Sequence, residues 1–245
     1  MNILVCISHV PDTTTRITFE PNGKSLNKAG VTFVINPYDE FGLSKAMEFK
    51  EKSNDVHISV ICVGDIETEP TLRKALAIGA DDAFRIDTQP LDSFSVATLI
   101  SDWARDKSFD LIFTGKESID ENAGAVPGML AELLGVSFIS YATKLDINGN
   151  SVIGYREIDN GMEILEAQLP LLVSCQKGIA EWRIPNMRGI MAARSKPLTV
   201  INALQVENRV ITLNFKQPEG KTGCVYYSSD NPEELISVLS TKGII

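Results

Sequence analysis

Residues Phe109 to Gly135 read FDLIFTGKESIDENAGAVPGMLAELLG, and the fold follows from how this stretch divides. Phe109 to Thr114 is a short apolar run ended by Gly115, the pattern of a central parallel strand buried on both faces. Met129, Leu130, Leu133 and Leu134 form a helical stripe, and Gly135 stands where a left-handed cap is wanted. Between them lies a loop of small and acidic residues. In an open α/β sheet, ligands bind in the crevice beyond such a strand end. The first turn of the following helix offers unpaired backbone N–H groups that suit a phosphate.

The rest of the chain repeats this alternation. Asn2 to Ile7 is an opening strand, followed by a polar turn at Ser8 to Thr13. Arg16 to Phe19 and Val31 to Ile35, with the Pro21-Asn22-Gly23 turn after the first, predict a two-stranded excursion. Asn36-Pro37-Tyr38-Asp39-Glu40 then reads as a helix start, with Asn36 as N-cap, Pro37 at the first helical position and two acids at the positive dipole end. Leu43, Ala46, Met47 and Lys50 share one face of that helix, the lysine capping its far end. His57 to Val63 is a long strand ended by Gly64; Leu72, Ala75, Leu76 and Gly79 mark a helix with its cap; Ala83 to Ile86 is the next strand. Val96, Leu99, Ile100 and Trp103 give a third helix capped by Asp92 or Ser93. Strands and helices alternating at this spacing mean a parallel sheet covered on both faces.

After Gly135 the rhythm changes. Ala142 to Ile147, Ser151 to Ile158 and Met162 to Glu166 are strand-like runs joined by Asn148-Gly149-Asn150 and Asp159-Asn160-Gly161, hairpin turns with the chemistry that positive φ demands. Leu169 to Ser174 reads as the last strand, returning to the sheet with Pro170 at its entry. A short helix is expected over Arg188 to Ala193 and a final one over Pro232 to Leu239. The expected fold is therefore α/β, a Rossmann-like parallel sheet with helices on both faces, a β-hairpin insertion and a C-terminal extended arm. Residues 1–196 are expected to form this α/β domain, with any nucleotide at its strand-end crevice. Residues 197–245, which cannot build a core alone, form an arm that packs on something else.

A net charge of -9 argues against nucleic-acid binding, which needs a basic face. No apolar run reaches membrane-spanning length, and MNILVCI enters a strand without the charged region of a signal peptide. Cys6, Cys62 and Cys175 lie in apolar runs and Cys224 stands apart, a pattern of reduced thiols in an intracellular protein. With two histidines in the chain, an imidazole-rich metal centre is not expected. GxGxxG and the Walker lysine motif are absent. The small residues Gly115, Ala123, Gly124 and Ala125 permit a close backbone approach, whereas Glu117, Asp120 and Glu121 oppose a phosphate; a plain strand-to-helix connection is the competing reading. Glu157, Asp159, Glu163 and Glu166 fit a solvated hairpin face better than paired acid–base carboxylates, having no nucleophile nearby in sequence. Met187 and Met191, one turn apart around Ile190, are either local core or an adaptable apolar patch.

Taken together, several of these stretches resemble the β subunit of electron transfer flavoproteins. That family's loop pattern G-K-Q-x-I-D-D-D stands here as Gly115-Lys116-Glu117-Ser118-Ile119-Asp120-Glu121-Asn122. Its helix start N-P-[FY]-[DC]-E stands as Asn36 to Glu40, and T-[LI]-R-x-A-L-A-x-G-A-D as Thr71 to Asp81. The signature R-E-x-[DE]-x-G-x-E is present as Arg156 to Glu163, followed by Leu169-Pro170-Leu171-Leu172-Val173. The resemblance implies an electron-carrier subunit, not itself an enzyme, in a heterodimer whose alpha subunit mainly holds the FAD. It implies a structural AMP touching Cys6, Asn36, Pro37, Tyr38, Asp39 and Val63. From the loop it adds Gly115, Lys116, Glu117, Ser118, Ile119, Asp120, Asn122, Ala123, Gly124, Ala125 and Val126. By the same resemblance, residues 182–191 form the partner-recognition loop, with Arg183, Met187 and Met191 in contact and Met187 as the anchor into a flavin dehydrogenase. Glu157 faces the mobile FAD domain, and the arm embraces the alpha subunit.

Electrons would pass from dehydrogenases such as acyl-CoA dehydrogenases, in fatty acid beta-oxidation, to a flavoprotein–quinone oxidoreductase; the chain itself is not a membrane protein. The compartment implied is the cytoplasm of a bacterium, or the mitochondrial matrix in a eukaryote. Ala125, Val126 and Pro127 depart from the family pattern and leave AMP to backbone amides. Bifurcating relatives, which hold a second FAD here, carry a D-G-D-T-A-Q-V-G-like stretch that Asp120 to Pro127 lacks, so the non-bifurcating form is expected. The alternatives are a bifurcating β subunit and a stand-alone adenine-nucleotide-binding protein.

Overall fold

A computed structural model describes residues 1–53, 55–90, 92–220 and 223–245. Its strands are β1 (Asn2–Cys6), β2 (His9–Pro11), β3 (Phe33–Ile35), β4 (His57–Val63), β5 (Asp82–Asp87), β6 (Leu111–Gly115), β7 (Ser137–Asn148), β8 (Ser151–Ile158), β9 (Gly161–Gln168), β10 (Leu171–Cys175) and β11 (Leu198–Asn202). Its helices are α1 (Pro37–Lys52), α2 (Glu69–Ile78), α3 (Ser93–Ala104), α4 (Ala125–Leu134), α5 (Met187–Ala193) and α6 (Pro232–Thr241). Among the described residues, nine strands form one sheet in the order β11-β5-β4-β1-β6-β10-β7-β8-β9. All neighbours from β11 to β7 run parallel, and β8 and β9 add an antiparallel extension through turns at Gly149 (φ 60°) and Gly161 (φ 149°).

Strand alternation sends side chains into two apolar layers. Ile3, Val5 and Ile7 of the opening segment join Leu43 and Ala46 of α1 and Leu72, Ala75 and Leu76 of α2 on one face. Leu4 and Cys6 join Ala97 and Ile100 of α3 and Leu130 and Ala131 of α4 on the other. Each fully buried leucine or isoleucine contributes about 1.5–3 kcal/mol by leaving water, and these layers hold the strand ends in register. Helix α3 begins on a capping box in which Asp92 and Ser95 satisfy each other's backbone N–H, and α4 ends on Gly135 in the left-handed region (φ 68°).

Three expectations are corrected. The two-stranded excursion pairs β3 with His9–Pro11, as the chain leaves the sheet, and not with Arg16–Phe19. Arg16 and Ile17 are exposed, and the narrow loop around Gly23 is closed by an isolated Phe19–Leu26 bridge. Nor is β10 the last strand. Leu198–Asn202 pairs in parallel with β5, because that edge was otherwise open and α5 with its flanks supplies the crossover. The stretch free of the sheet therefore begins at Ala203. Lastly, the Lys50 ammonium caps a neighbour rather than its own helix: it donates to Gly79 O at the end of α2 (3.2 Å) and pairs with Asp81 (2.5 Å).

From Ala203 to Asn231 the chain has no helix or strand among its described residues. It is tied down at a few points: Val210 N donates to Asp92 (2.9 Å), Phe215 stacks on Phe19 (centroids 5.0 Å apart), and Phe215 N donates to Gly23 O (2.7 Å). Helix α6 buries none of its residues. Among the described residues, no helix is long and apolar enough to cross a membrane.

Candidate functional site

Strand β1 is the point where the order reverses, β4 and β5 lying to one side and β6 and β10 to the other. Such a switch point splays the connections apart and leaves a crevice at the carboxyl ends. Here it encloses about 280 Å³ between Cys6, Val63 and Thr114 at the ends of β1, β4 and β6 and the loops that follow. The loop after β6 is held from below by the first turn of α1. A Cβ on Gly115 would stand 2.4 Å from Asp39 Oδ1 and 2.8 Å from Asn36 Nδ2, so only glycine allows the helix so near. Asp39, buried, accepts Ser8 N on Oδ2 and Gly115 N on Oδ1, each at 2.7 Å. Asn36 occupies the N-cap position without capping its own helix through its side chain. Its Nδ2 donates to Glu117 O (2.8 Å), and its Oδ1 accepts Ile119 N (3.3 Å). The side-chain cap expected from sequence is thus spent on fixing the loop. Beyond it, Ser118 N donates to Ala123 O (3.2 Å), Asn122 adopts φ 51°, and α4 begins at Ala125 without a side-chain cap.

Of the residues anticipated as ligand contacts, Cys6, Asp39, Val63, Gly115, Glu117, Ser118, Asp120, Ala123 and Val126 line the crevice. Asn36 and Ile119, bonded to each other, do not line it. Pro37, Tyr38, Lys116, Asn122, Gly124 and Ala125 are not among its lining. Lys116 is directed elsewhere: its ammonium pairs with Glu117 (2.6 Å) and lies 4.6 Å from the Tyr38 ring centre and 5.8 Å from that of Tyr141. Burial opposes its charge, yet Glu117 and Tyr38 hold its pKa above the ordinary lysine value. Sequence reading missed His9, Lys28, Asp65, Glu67, Gln89, Asp92 and Thr114, which also line the crevice. All but Lys28 lie at or just beyond the carboxyl end of a sheet strand, or at the start of the helix that follows, and that shared position was the available signal.

The rim is acidic. Asp65, Glu67, Asp92, Asp120 and Glu121 face it, while the one lysine in the lining, Lys28, is paired with Glu67. Burial, then Asp120, pushes the Glu121 carboxyl above its ordinary pKa. Asp92 is shifted down: burial works against it, but the N–H groups of Ser95, Arg209 and Val210 outweigh that. Burial pushes Asp39 up to about 7 in spite of its backbone donors, Cys62 up to about 12, and Cys6 and Cys175 above the ordinary thiol range. These three thiols are free and buried, and inert on that account. His9, stacked on Phe33 and hydrogen-bonded to Thr71 (2.7 Å), is lowered by burial. Among the described residues, no group of His, Cys, Asp and Glu is arranged to hold a metal ion.

A second feature lies away from the crevice. The segment from Trp182 to Lys196 is fastened to α1 and α2 by several polar contacts. Trp182 Nε1 donates to Glu40, which also pairs with Lys74. The Arg183 guanidinium grips both oxygens of Glu51 (2.5 and 2.7 Å), so this residue is engaged within the chain. Arg73 donates to Ala193 O (2.8 Å) and Lys196 O (2.7 Å), and Lys196 donates to Leu76 O (3.0 Å) and Ala80 O (2.5 Å). Ala193 is buried, but the larger aliphatic side chains of the segment are exposed: Ile184 is 81% exposed, Met187 74% and Met191 68%. Between core and surface patch, the two readings open for Met187 and Met191, the structure chooses the patch. Glu157 is exposed on β8, opposite Met162. Glu163, on β9, pairs with Arg156.

Comparison with known proteins agrees with this architecture. A family model described as "Electron transfer flavoprotein domain" matches residues 24–206. The electron transfer flavoprotein subunit beta of Bacillus subtilis is 39% identical, over 99% of this chain and 98% of that protein. Its counterpart in Syntrophomonas wolfei is 32% identical, over 95% and 92% respectively. Subunit CarD of a caffeyl-CoA reductase–Etf complex from Acetobacterium woodii is 30% identical, over 82% and 78%. With the parallel sheet, the strand-end crevice and these matches together, the chain belongs to the electron transfer flavoprotein β-subunit family, whose business is electron transport.

Proposed function

We propose that this chain is the β subunit of a heterodimeric, non-bifurcating electron transfer flavoprotein that relays electrons from flavin dehydrogenases, such as acyl-CoA dehydrogenases, towards the quinone pool. In this reading the FAD supplies the redox chemistry and sits mainly in the alpha subunit. The present chain binds a structural AMP, helps to position the flavin-bearing partner, and docks the dehydrogenase. The observation that carries the reading is the crevice at the carboxyl ends of β1, β4 and β6, in a chain that matches this family over nearly its whole length. Its residues fit an adenine nucleotide of low charge: an apolar floor, the buried and unpartnered hydroxyl of Thr114, and a start of α4 without a side-chain cap. The acidic rim, with Lys28 already paired, suits a monophosphate better than the pyrophosphate of a second FAD. The exposed stripe Ile184, Met187, Ile190 and Met191, on a segment held by fixed polar contacts, is the dehydrogenase-docking surface. Residues from Ala203 onward form the arm that packs on the alpha subunit, which accounts for a terminal helix with nothing buried.

Co-expression with the alpha subunit tests this directly. The purified complex should be a yellow 1:1 heterodimer releasing one FAD and one AMP on denaturation. Two FAD and no AMP would establish the bifurcating form instead. A stable monomer holding adenine nucleotide without a partner would make the chain a stand-alone binding protein.

A further inference from the structure

The crevice has two chemically different halves. Its floor is made by Cys6, Val63, Val96, Ile100 and Val126, apolar groups supplied by β1, β4, α3 and α4. Its rim carries the carboxylates of Asp65, Glu67, Asp92, Asp120 and Glu121. Three buried polar side chains also line the crevice: Asp39 and Thr68, both hydrogen-bonded within the chain, and Thr114, the penultimate residue of β6. Strand alternation explains where Thr114 points. Ile112, two residues earlier, packs with Cys6 and Val63 against α3 and α4, so Thr114 faces that same side just beyond the packed layer.

Thr114 is 3% exposed, and its Oγ1 has no hydrogen-bond partner. Among the described residues, only one other buried side-chain atom shares that condition, Asp82 Oδ1, and Asp82 opens β5 at the amino ends of the strands, where its second oxygen meets His57 (3.0 Å). Other buried hydroxyls are satisfied locally: Thr68 donates to Asp65 O (2.8 Å), Ser101 to Thr98 O (2.9 Å), and Ser174 accepts Tyr141 N (2.9 Å). A buried hydroxyl left unpaired costs free energy and calls for an explanation. An apolar floor with one buried, unpartnered hydroxyl beside it matches a flat heteroaromatic ring, whose faces take the aliphatic groups and whose edge takes the hydrogen bond.

We infer that Thr114 is a ligand-contact residue whose hydroxyl hydrogen-bonds to the polar edge of a purine base lying on this floor, with ribose and phosphate towards the start of α4. The inference rests on the nucleotide reading above and goes beyond it, because it assigns the base to the floor and its recognition to one atom. As a hydroxyl both donates and accepts, Thr114 holds the base without fixing which hydrogen-bonding atom it presents.

The test uses the heterodimer freed of nucleotide, titrated with AMP, adenosine and ribose 5-phosphate. Thr114→Val keeps the shape and removes the hydroxyl. It should weaken AMP and adenosine alike by about tenfold and leave ribose 5-phosphate unchanged. Thr114→Ser should bind AMP within about twofold of the parent. Thermal unfolding of the nucleotide-free complex should be no lower for Thr114→Val than for the parent, because the hydroxyl has no protein partner to lose. Parent-like AMP affinity in Thr114→Val would overturn the assignment, as would a loss for AMP without a matching loss for adenosine. Failure of the parent complex to bind either AMP or adenosine would instead remove the nucleotide reading itself, and this assignment with it.

Discussion

Asp39 is the residue on which the crevice turns. Both its oxygens are occupied by backbone N–H groups, one from the segment leaving β1 and one from the end of β6. Asparagine is nearly isosteric, but its NH2 cannot accept, so Asp39→Asn would set donor against donor in a buried place. We expect a loss of about 1–3 kcal/mol, measured by urea unfolding. The pH dependence gives a second readout. Burial raises the folded pKa to about 7 from 3.8, so the folded state binds the proton more tightly than the unfolded chain does. Its contribution is therefore greatest below pH 4 and is lost as pH climbs to 7. Unfolding curves of Asp39→Asn across that window should lack this falling component; an unchanged slope would assign it to another group. Gly115→Ala attacks the same joint from the other side. The added methyl meets Asp39, Asn36 and the Tyr38 Cβ (2.8 Å), and overpacking of this kind costs about 1–3 kcal/mol. Its midpoint in urea should fall, and AMP content should fall with it.

At the scale of elements, the segment over α5 illustrates how a surface stays apolar without collapsing. Gly189 lies so close to α2 that a Cβ there would stand 2.2 Å from Ala77 O, and Arg73 clamps the far end. Held this way, Met187 and Met191 have no packing role to lose. Met187→Ala should leave stability within about 0.5 kcal/mol and FAD content unchanged, yet slow reduction by the dehydrogenase about tenfold. Stopped-flow kinetics at varied dehydrogenase concentration would reveal it, and unaltered kinetics would place the docking anchor elsewhere. The terminal helix is the opposite case. Ten residues with nothing buried form a marginal helix in water. Hydrogen exchange across residues 203–245 should be fast in the isolated chain and slowed once the alpha subunit is bound; fast exchange in both would detach the arm from that interface.

For the whole molecule, the sequence disclosed the sheet better than the site. Runs such as His57–Val63 and Leu171–Cys175 are continuous and apolar because both faces are covered, and they stood out for that reason. Leu198–Asn202 did not: it is a short edge strand, half open to solvent, that begins directly after a proline. The loop from Gly115 was visible through its glycine and its following helix. The other wall was not, since Asp65, Glu67, Gln89 and Asp92 meet it only when the sheet brings the ends of β4 and β5 alongside. By periodicity Thr114 is one more strand residue; its meaning is set by an unpartnered hydroxyl that periodicity does not record. Asn36 looks local in the sequence, a helix cap, though its partners lie more than eighty residues away. The same non-locality bears on any transplant of the proposed recognition segment between relatives. Its fastenings are owned by the recipient's helices: Glu40 and Glu51 on α1, Arg73 on α2. Residues 181–196 moved alone would arrive without their moorings, and a working graft must carry the matching surface of α1 and α2 along with the loop.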